Sequence, residues 1–376
     1  MATFIRKTTR KSMNIFIVIW ALLAPTIVNA DQIDNYLQCK MKKLKIPGLS
    51  VAIVKNGQIV KTKGYGFSNI ELQSPASSET VYQSGSIGKQ FTAMLVMMLV
   101  EKGVLHLDDH INQYLKVKSV FWKDITIRHL LTHTSGLSRY WLETDVRLDY
   151  SNDELLKRLS YYPLNFAPGA KWEYCNTGYD ILGIIIQNVT GNFYGDLLHK
   201  NIFKPLNMNT AYVNNDINII PNRAAGYNLD DHGVIKNKFF TSPTFSSQAD
   251  GSLSFSVLDL AKWDEALYTT KLLQQNNMKL LWTPVRLNDG SIKNYGFGWD
   301  LENINGRRLI EHGGELDGFT AFISRYFDDK LTVIIMTNLS GNAELRAITH
   351  RVASIYDNKI KTDKDEESDN SCAAIK

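Results

Sequence analysis

Residues 307–337 read RRLIEHGGELDGFTAFISRYFDDKLTVIIMT. Strand-favouring residues dominate Arg307–His312, Phe319–Phe327 and Leu331–Thr337, and turn formers such as Asp328-Asp329 separate them. Tyr295–Leu301 reads as one more strand, joined to the set through Asn305-Gly306, and Ala343–Asp357 reads as a closing helix. The other end of the chain repeats the theme. An amphipathic helix over Ile33–Ile46 stops at Pro47-Gly48. Leu49–Val54 is a β-rich run, Asn56-Gly57 is a strong hairpin signal, and Gln58–Phe67 returns.

Between these ends the periodicity is mixed and largely helical. Helices are expected at Ser86–Lys102, Ile127–Thr132, Ser151–Ser160, Thr177–Thr190, Phe193–Ile202 and Val257–Tyr268. Residues 93–100 are apolar on all sides, which predicts a buried helix with its methionines as core filler. The economical arrangement is α+β: one antiparallel sheet built from both ends (31–104 and 290–360), flanked by N- and C-terminal helices, with a mainly helical domain (105–289) inserted between its halves. The Asp/Glu/Ser-rich tail 361–376 is expected to be disordered.

Composition supports a globular protein. The chain has 376 residues, 44% hydrophobic and 21% charged, which excludes a disordered chain or a polytopic membrane protein. Three cysteines exclude a disulfide scaffold. The net charge of +4 comes from Arg6, Lys7, Arg10 and Lys11; without residues 1–30 the balance is 38 against 38. The basic pI of 8.7 is therefore no argument for nucleic-acid binding. Those four bases precede the apolar stretch Ile15–Val28, and Val28-Asn29-Ala30 fits a signal-peptidase site. Residues 1–30 thus read as a cleaved secretory signal, leaving an exported, periplasmic or extracellular protein without a stable membrane anchor.

Three segments carry chemistry. In Ser86-Ile87-Gly88-Lys89 the spacing of three sets a hydroxyl and an amine on one helix face. A serine needs a nearby base, and burial would move the lysine toward its neutral, basic form. The start of the helix adds unpaired N–H groups for developing negative charge. In Tyr174-Cys175-Asn176 a phenol near a cation can pass a proton, and an amide can both donate to and accept from a substrate. In His312-Gly313-Gly314-Glu315 the glycines permit close approach of another chain, and edge N–H groups there could bind an oxyanion. Taken singly, each also fits a helix cap, a turn or a strand end.

Together, in this order and spacing, the three segments resemble the serine β-lactamase and penicillin-binding-protein superfamily, closest to its class C-related branch. Further similar landmarks are Leu130–Leu137 (LLTHTSGL), the Gly251-Ser252-Leu253-Ser254 turn before Asp259–Trp263, and Gly296-Phe297-Gly298-Trp299. The resemblance implies the sheet-plus-helical-insertion fold. It also implies Ser86 as acylated nucleophile, Lys89 as acceptor of its proton, and Tyr174 as assistant to Lys89 and activator of the deacylating water. Asn176 would hold the substrate amide. The backbone N–H groups of Ser86 and Glu315 would form the oxyanion hole, and His312 would line the wall opposite Tyr174. No metal or cofactor is implied, and the partner is a small-molecule or peptide acyl substrate.

Two departures bear on substrate. His312-Gly313 stands where the β-lactamases place Lys-Thr, which favours an esterase or D-amino-acid peptidase over a class C-like β-lactamase; a non-turnover penicillin- or muropeptide-binding protein is the rival of a different kind. Cys175 replaces the usual Ser or Ala and reads as structural. Arg307 and Arg308 are candidate substitute charges. The aromatics Tyr140, Trp141, Tyr161 and Tyr162 are candidates for an acyl pocket. Gln83 and Gln90 exclude a phosphate loop, no Gly-x-Ser-x-Gly elbow occurs, and the pairs His129/His133 and His106/His110 read as surface or capping residues.

Overall fold

In a computed structural model the chain is described over residues 32–138, 145–304, 306–341, 344–360 and Cys372. Residues 1–30, expected to be an export signal, and the pair Tyr140 and Trp141 lie outside the described residues.

The central feature is a seven-stranded antiparallel sheet whose halves come from opposite ends of the chain. Its order is Asp300–Ile304, Arg307–Leu316, Phe319–Tyr326, Leu331–Thr337, Gly48–Lys55, Gln58–Asn69, Ser74–Pro75. The two ends meet at the middle, where Leu49 pairs with Thr337 and Lys55 with Leu331. Both of these strands are mostly apolar and almost wholly buried because both of their faces are covered. Leu49, Val51, Ile53, Val333 and Ile335 point to one core, shared with the helix at 32–44 and the helix Leu345–Tyr356. Ala52, Val54, Ile334 and Met336 point to a second core, shared with the helix Gly88–Glu101. Alternation along a strand thus produces a layered order: terminal helices, sheet, then the helical part. Fully burying one such aliphatic side chain contributes about 1.5–3 kcal/mol, so the doubly covered strands form the stable frame behind the site.

The helix Gly88–Glu101 has the all-round burial its composition predicts. It is preceded by a 3-10 turn, Gly85–Ile87, rather than starting at Ser86. The helix Val257–Ala266 is tied to the sheet by a buried ion pair, Asp264 Oδ1 with Arg325 Nε at 2.6 Å. Its Trp263 Nε1 donates to Gln90 Oε1 at 3.0 Å, bracing the residue next to Lys89.

Three expectations are corrected. Tyr295–Leu301 is not a strand: residues 296–299 form a turn, and the strand begins at Asp300. Gly298 has φ +78°, and a Cβ there would sit 2.9 Å from the Lys89 carbonyl carbon, so this segment serves as close packing against the Lys89 backbone. The Phe193–Ile202 helix divides into an α-helix Tyr194–Leu198 and a π-helical turn His199–Phe203. The tail is not free throughout, because Cys372 is buried and disulfide-bonded to Cys39. That bond pins the tail to the first helix.

Candidate active site

A small three-stranded sheet (Tyr82–Gln83, Leu253–Phe255 and Tyr212–Val213) brings Ser86 to the sheet edge. Ser84 N donates to Leu253 O at 2.8 Å, and Gly85 then turns the chain with φ +52°. A Cβ on Gly85 would lie 2.3 Å from Glu315 N, and one on Gly314 would lie 1.9 Å from Ser84 O and 3.0 Å from Ser86 N. Glycine at both positions lets the backbones of Ser86 and Glu315 approach side by side. Glu315 itself is exposed, and its carboxylate accepts from Gly341 N at 2.9 Å.

Lys89 is fully buried. Its Nζ donates to Ser86 Oγ at 3.0 Å and to the Asp250 carbonyl at 2.6 Å, with Asp250 Oδ2 at 3.9 Å. It lies 5.0 Å from the Tyr174 ring centroid and 5.5 Å from that of Tyr179. Burial works against its charge, but Tyr174, Asp250 and Asp180 outweigh burial and hold its pKa above the ordinary lysine value. The expectation that burial leaves Lys89 poised in its neutral form is therefore corrected: at rest it is an ammonium. Burial pushes the Tyr174 phenol up, against the pull of Lys89 and Ser86, so the phenol is neutral. Its buried hydroxyl closes no hydrogen bond within the described residues.

Tyr174 is held by its loop. Glu173 N donates to His133 O at 3.0 Å, Cys175 N to His133 Nδ1 at 3.1 Å, and Thr177 Oγ1 to Ser138 O at 3.2 Å. The His133 and Tyr174 rings lie 4.2 Å apart, centroid to centroid. Cys175 is buried with its thiol pushed up by burial, in keeping with a structural role. Asn176 is exposed and is the first residue of the helix Asn176–Thr190.

His312 is 4% exposed, and its ring lies 6.1 Å from that of Tyr174 between centroids. It bonds Tyr295 and not Tyr174, with Nε2 3.0 Å from the Tyr295 hydroxyl. Burial, aided by Lys89, pushes its pKa down to about 4, so the ring is neutral at pH 7. Gly313 is half-buried beside it. Arg307 and Arg308 pair with Asp329 and Asp328 at the far end of that strand and supply no charge here. Tyr161 is 69% exposed, and Tyr162 packs on the core.

Sequence reading missed Tyr295 and Asp250 and misread His133, which is 1% exposed. Each carried a signal. His133 lies inside the Leu130–Leu137 landmark, Asp250 directly precedes Gly251, and Tyr295 directly precedes Gly296. His133 also has φ +58°, unusual for a non-glycine residue.

The β-lactamase family model matches residues 33–357. A penicillin-binding protein of Bacillus subtilis is 30% identical over 313 residues, covering 78% of this chain and 69% of that protein. Among solved structures, an octameric penicillin-binding protein homologue from Pyrococcus abyssi superposes with a TM-score of 0.78 at 30% identity, over 87% of this chain and 77% of that one. A D-amino acid amidase from Ochrobactrum anthropi shares the fold, with a TM-score of 0.77 at 22% identity over 89% and 99% of the two chains. With its sheet assembled from both ends and a serine, a lysine and a tyrosine gathered at the sheet edge, the chain belongs to the β-lactamase family, within the serine β-lactamase and penicillin-binding-protein superfamily.

Proposed function

We propose that this protein is an exported serine hydrolase that forms an acyl-enzyme on Ser86 from an ester or amide, of esterase or D-amino-acid peptidase type. The observation that carries this reading is the 3.0 Å hydrogen bond from the buried, doubly anchored Lys89 Nζ to Ser86 Oγ. Ser86 Oγ attacks the acyl carbon. A new Oγ–C bond forms and the bond to the leaving alcohol or amine breaks; the Lys89–Tyr174 pair, in the form that has already released one proton to solvent, takes the proton lost by Ser86 and passes it to that leaving group. Water then cleaves the Ser86 ester, and its proton returns to Ser86 by the same pair. The adjoining backbones of Ser86 and Glu315 supply N–H groups for the oxyanion. Asn176 at the helix start receives the substrate amide.

A neutral His312 offers no cation to a substrate carboxylate, which favours the esterase or peptidase reading over β-lactam hydrolysis. Similarity to penicillin-binding proteins and to the fold of a D-amino acid amidase is in keeping with peptide-like acyl substrates. Export is supported by the charge and apolar pattern of residues 1–30 and by the Cys39–Cys372 disulfide, a bond suited to oxidising compartments. Among the described residues no helix is long and apolar enough to cross a membrane.

The test is intact-protein mass spectrometry with p-nitrophenyl acetate, a D-alanyl anilide and nitrocefin. A transient adduct on Ser86 with product release from the ester or anilide is expected. A stable adduct without release would instead identify a non-turnover binding protein, and nitrocefin turnover a β-lactamase. Full activity in Ser86→Ala would refute the mechanism.

A further inference from the structure

Four hydrogen bonds, three of them buried and one half-buried, run in line beside Tyr174. Cys175 N donates to His133 Nδ1 at 3.1 Å, His133 Nε2 lies 3.1 Å from the Tyr295 hydroxyl, that hydroxyl lies 3.0 Å from His312 Nε2, and His312 Nδ1 lies 2.5 Å from the Gly313 carbonyl oxygen. Both ends are main-chain groups of fixed polarity: an amide N–H only donates, and a carbonyl only accepts. His133 Nδ1 is therefore bare, and its proton is on Nε2. His312 Nδ1 carries the proton, and its Nε2 is bare. The phenol accepts from His133 and donates to His312. One assignment satisfies all four bonds, with every donor aimed from Cys175 toward Gly313. The two imidazoles are opposite tautomers on either side of one hydroxyl.

Charging His312 would break this line. A proton on Nε2 would make the Tyr295 oxygen the acceptor of both imidazoles and turn the phenol proton away from His312 toward Tyr179, whose own hydroxyl donates to the Leu131 carbonyl at 2.8 Å. Of the charged groups around the ring, Lys89 opposes such a charge more than the Glu311 carboxylate favours it. Lys89 and Tyr174 face it from one side and Tyr295 from another, while the neighbouring Glu311 is engaged by His350 Nε2 at 2.6 Å and Arg346 Nε at 2.7 Å.

We propose that this one-way chain keeps the His312 imidazole uncharged, and that Tyr295 and His133 are positioning residues that set the site for acyl donors without a free carboxylate beside the scissile bond. The selectivity part rests on the reading of Ser86 as the acylated residue; the proton assignment does not. A carboxylate brought against a neutral ring loses water without gaining a cation.

The experiment uses the 15N-labelled full chain. Long-range 1H–15N spectra of the imidazoles are recorded from pH 5 to 8, with signals assigned by substitution. His312 is expected as the Nδ1–H tautomer and His133 as the Nε2–H tautomer, with His312 neutral across the range. Tyr295→Phe removes only the bridging hydroxyl, and His312 should then titrate at a higher pH. In the same variant, the preference in kcat/KM for a neutral phenyl ester over its 3-carboxyphenyl counterpart should narrow by about tenfold below pH 6, as a charged ring becomes accessible. His133→Gln, which keeps one acceptor and one donor, should preserve the His312 tautomer, whereas His133→Phe should not. Matching tautomers, an imidazolium near pH 6.5 in the native chain, or a Tyr295→Phe protein with unchanged titration and preference would each overturn the proposal. Wild-type ester turnover in Ser86→Ala would overturn the acyl-enzyme reading while leaving the tautomer result standing.

Discussion

Replacing Lys89 by methionine keeps the side chain's length and removes its charge. The native Nζ lies 3.0 Å from Ser86 Oγ. At an effective dielectric of about 20, a unit charge at that distance stabilises a full negative charge on Oγ by about 5 kcal/mol. At about 1.4 kcal/mol per decade, loss of that stabilisation slows acylation by about 10³–10⁴-fold. Stability should move much less. The substitution leaves the Asp250 carbonyl without its 2.6 Å donor, a loss of about 1–3 kcal/mol, but it also removes a buried ammonium. The two effects are separated by measuring the acylation burst with p-nitrophenyl acetate alongside thermal unfolding. A Lys89→Met protein that acylates within tenfold of wild type would refute the electrostatic reasoning. A collapse of thermal stability that accounts for the lost activity would do the same.

The directions of the Lys89 and Tyr174 shifts predict the pH profile: with both held protonated, the pair must lose one proton before it can take that of Ser86, so kcat/KM should keep rising from pH 7 to pH 9, and a plateau reached by pH 7 would contradict it. Tyr174→Phe should lower kcat by about 10²-fold and leave acyl-enzyme detectable by mass, since the phenol carries the proton for deacylation; unimpaired turnover would exclude that role. Asp300 is pushed up to about 7 by burial and by Glu311 and Glu302. Its raised folded-state pKa favours folding at low pH, and this contribution is lost as pH rises from the ordinary carboxylate range through about 7, so Asp300→Asn should raise the melting temperature more at pH 8 than at pH 5. Cys39→Ser removes the bond to Cys372 and should cost about 2–5 kcal/mol of stability, read by denaturant unfolding with and without reductant; equal stability in all four samples would show that the bond contributes nothing.

The fold was legible where local pattern and tertiary role agree. Leu331–Thr337 and Gly48–Lys55 are mostly apolar because each faces two cores, and such a run is readable without knowing its neighbours. The segment after Asn294 was not legible in this way. Tyr295, Phe297 and Trp299 alternate as a strand would, yet they are buried by a turn whose glycines accommodate the Lys89 helix and the Leu281 carbonyl. Alternation reports burial on alternate positions, and a glycine-rich turn pressed into a core produces the same signal. The partner of Cys39 was equally hidden, because 333 residues separate it from Cys372 and nothing local couples them.

At the site, residue types were legible but the sign of their interactions was not. Ser86 and Lys89 belong to one turn, so their hydrogen bond follows from spacing alone. The charge state of Lys89 depends on more distant groups. The local sequence shows an apolar helix, and from that only the desolvation penalty can be inferred, which points toward a neutral amine. Asp250 and Asp180 reach Lys89 from segments far along the chain, and with Tyr174 they reverse the direction. His312 shows the opposite case. Its acidic neighbour Glu311 is adjacent in sequence, but strand alternation turns Glu311 to the other face, toward His350 and Arg346. The ring is left facing Lys89 and a phenol. Proximity along the chain therefore misleads for Lys89, and in both cases the groups that face the side chain set the direction of its shift. A site that sets one buried lysine, with its pKa held up, beside one imidazole, with its pKa held down, follows from that geometry.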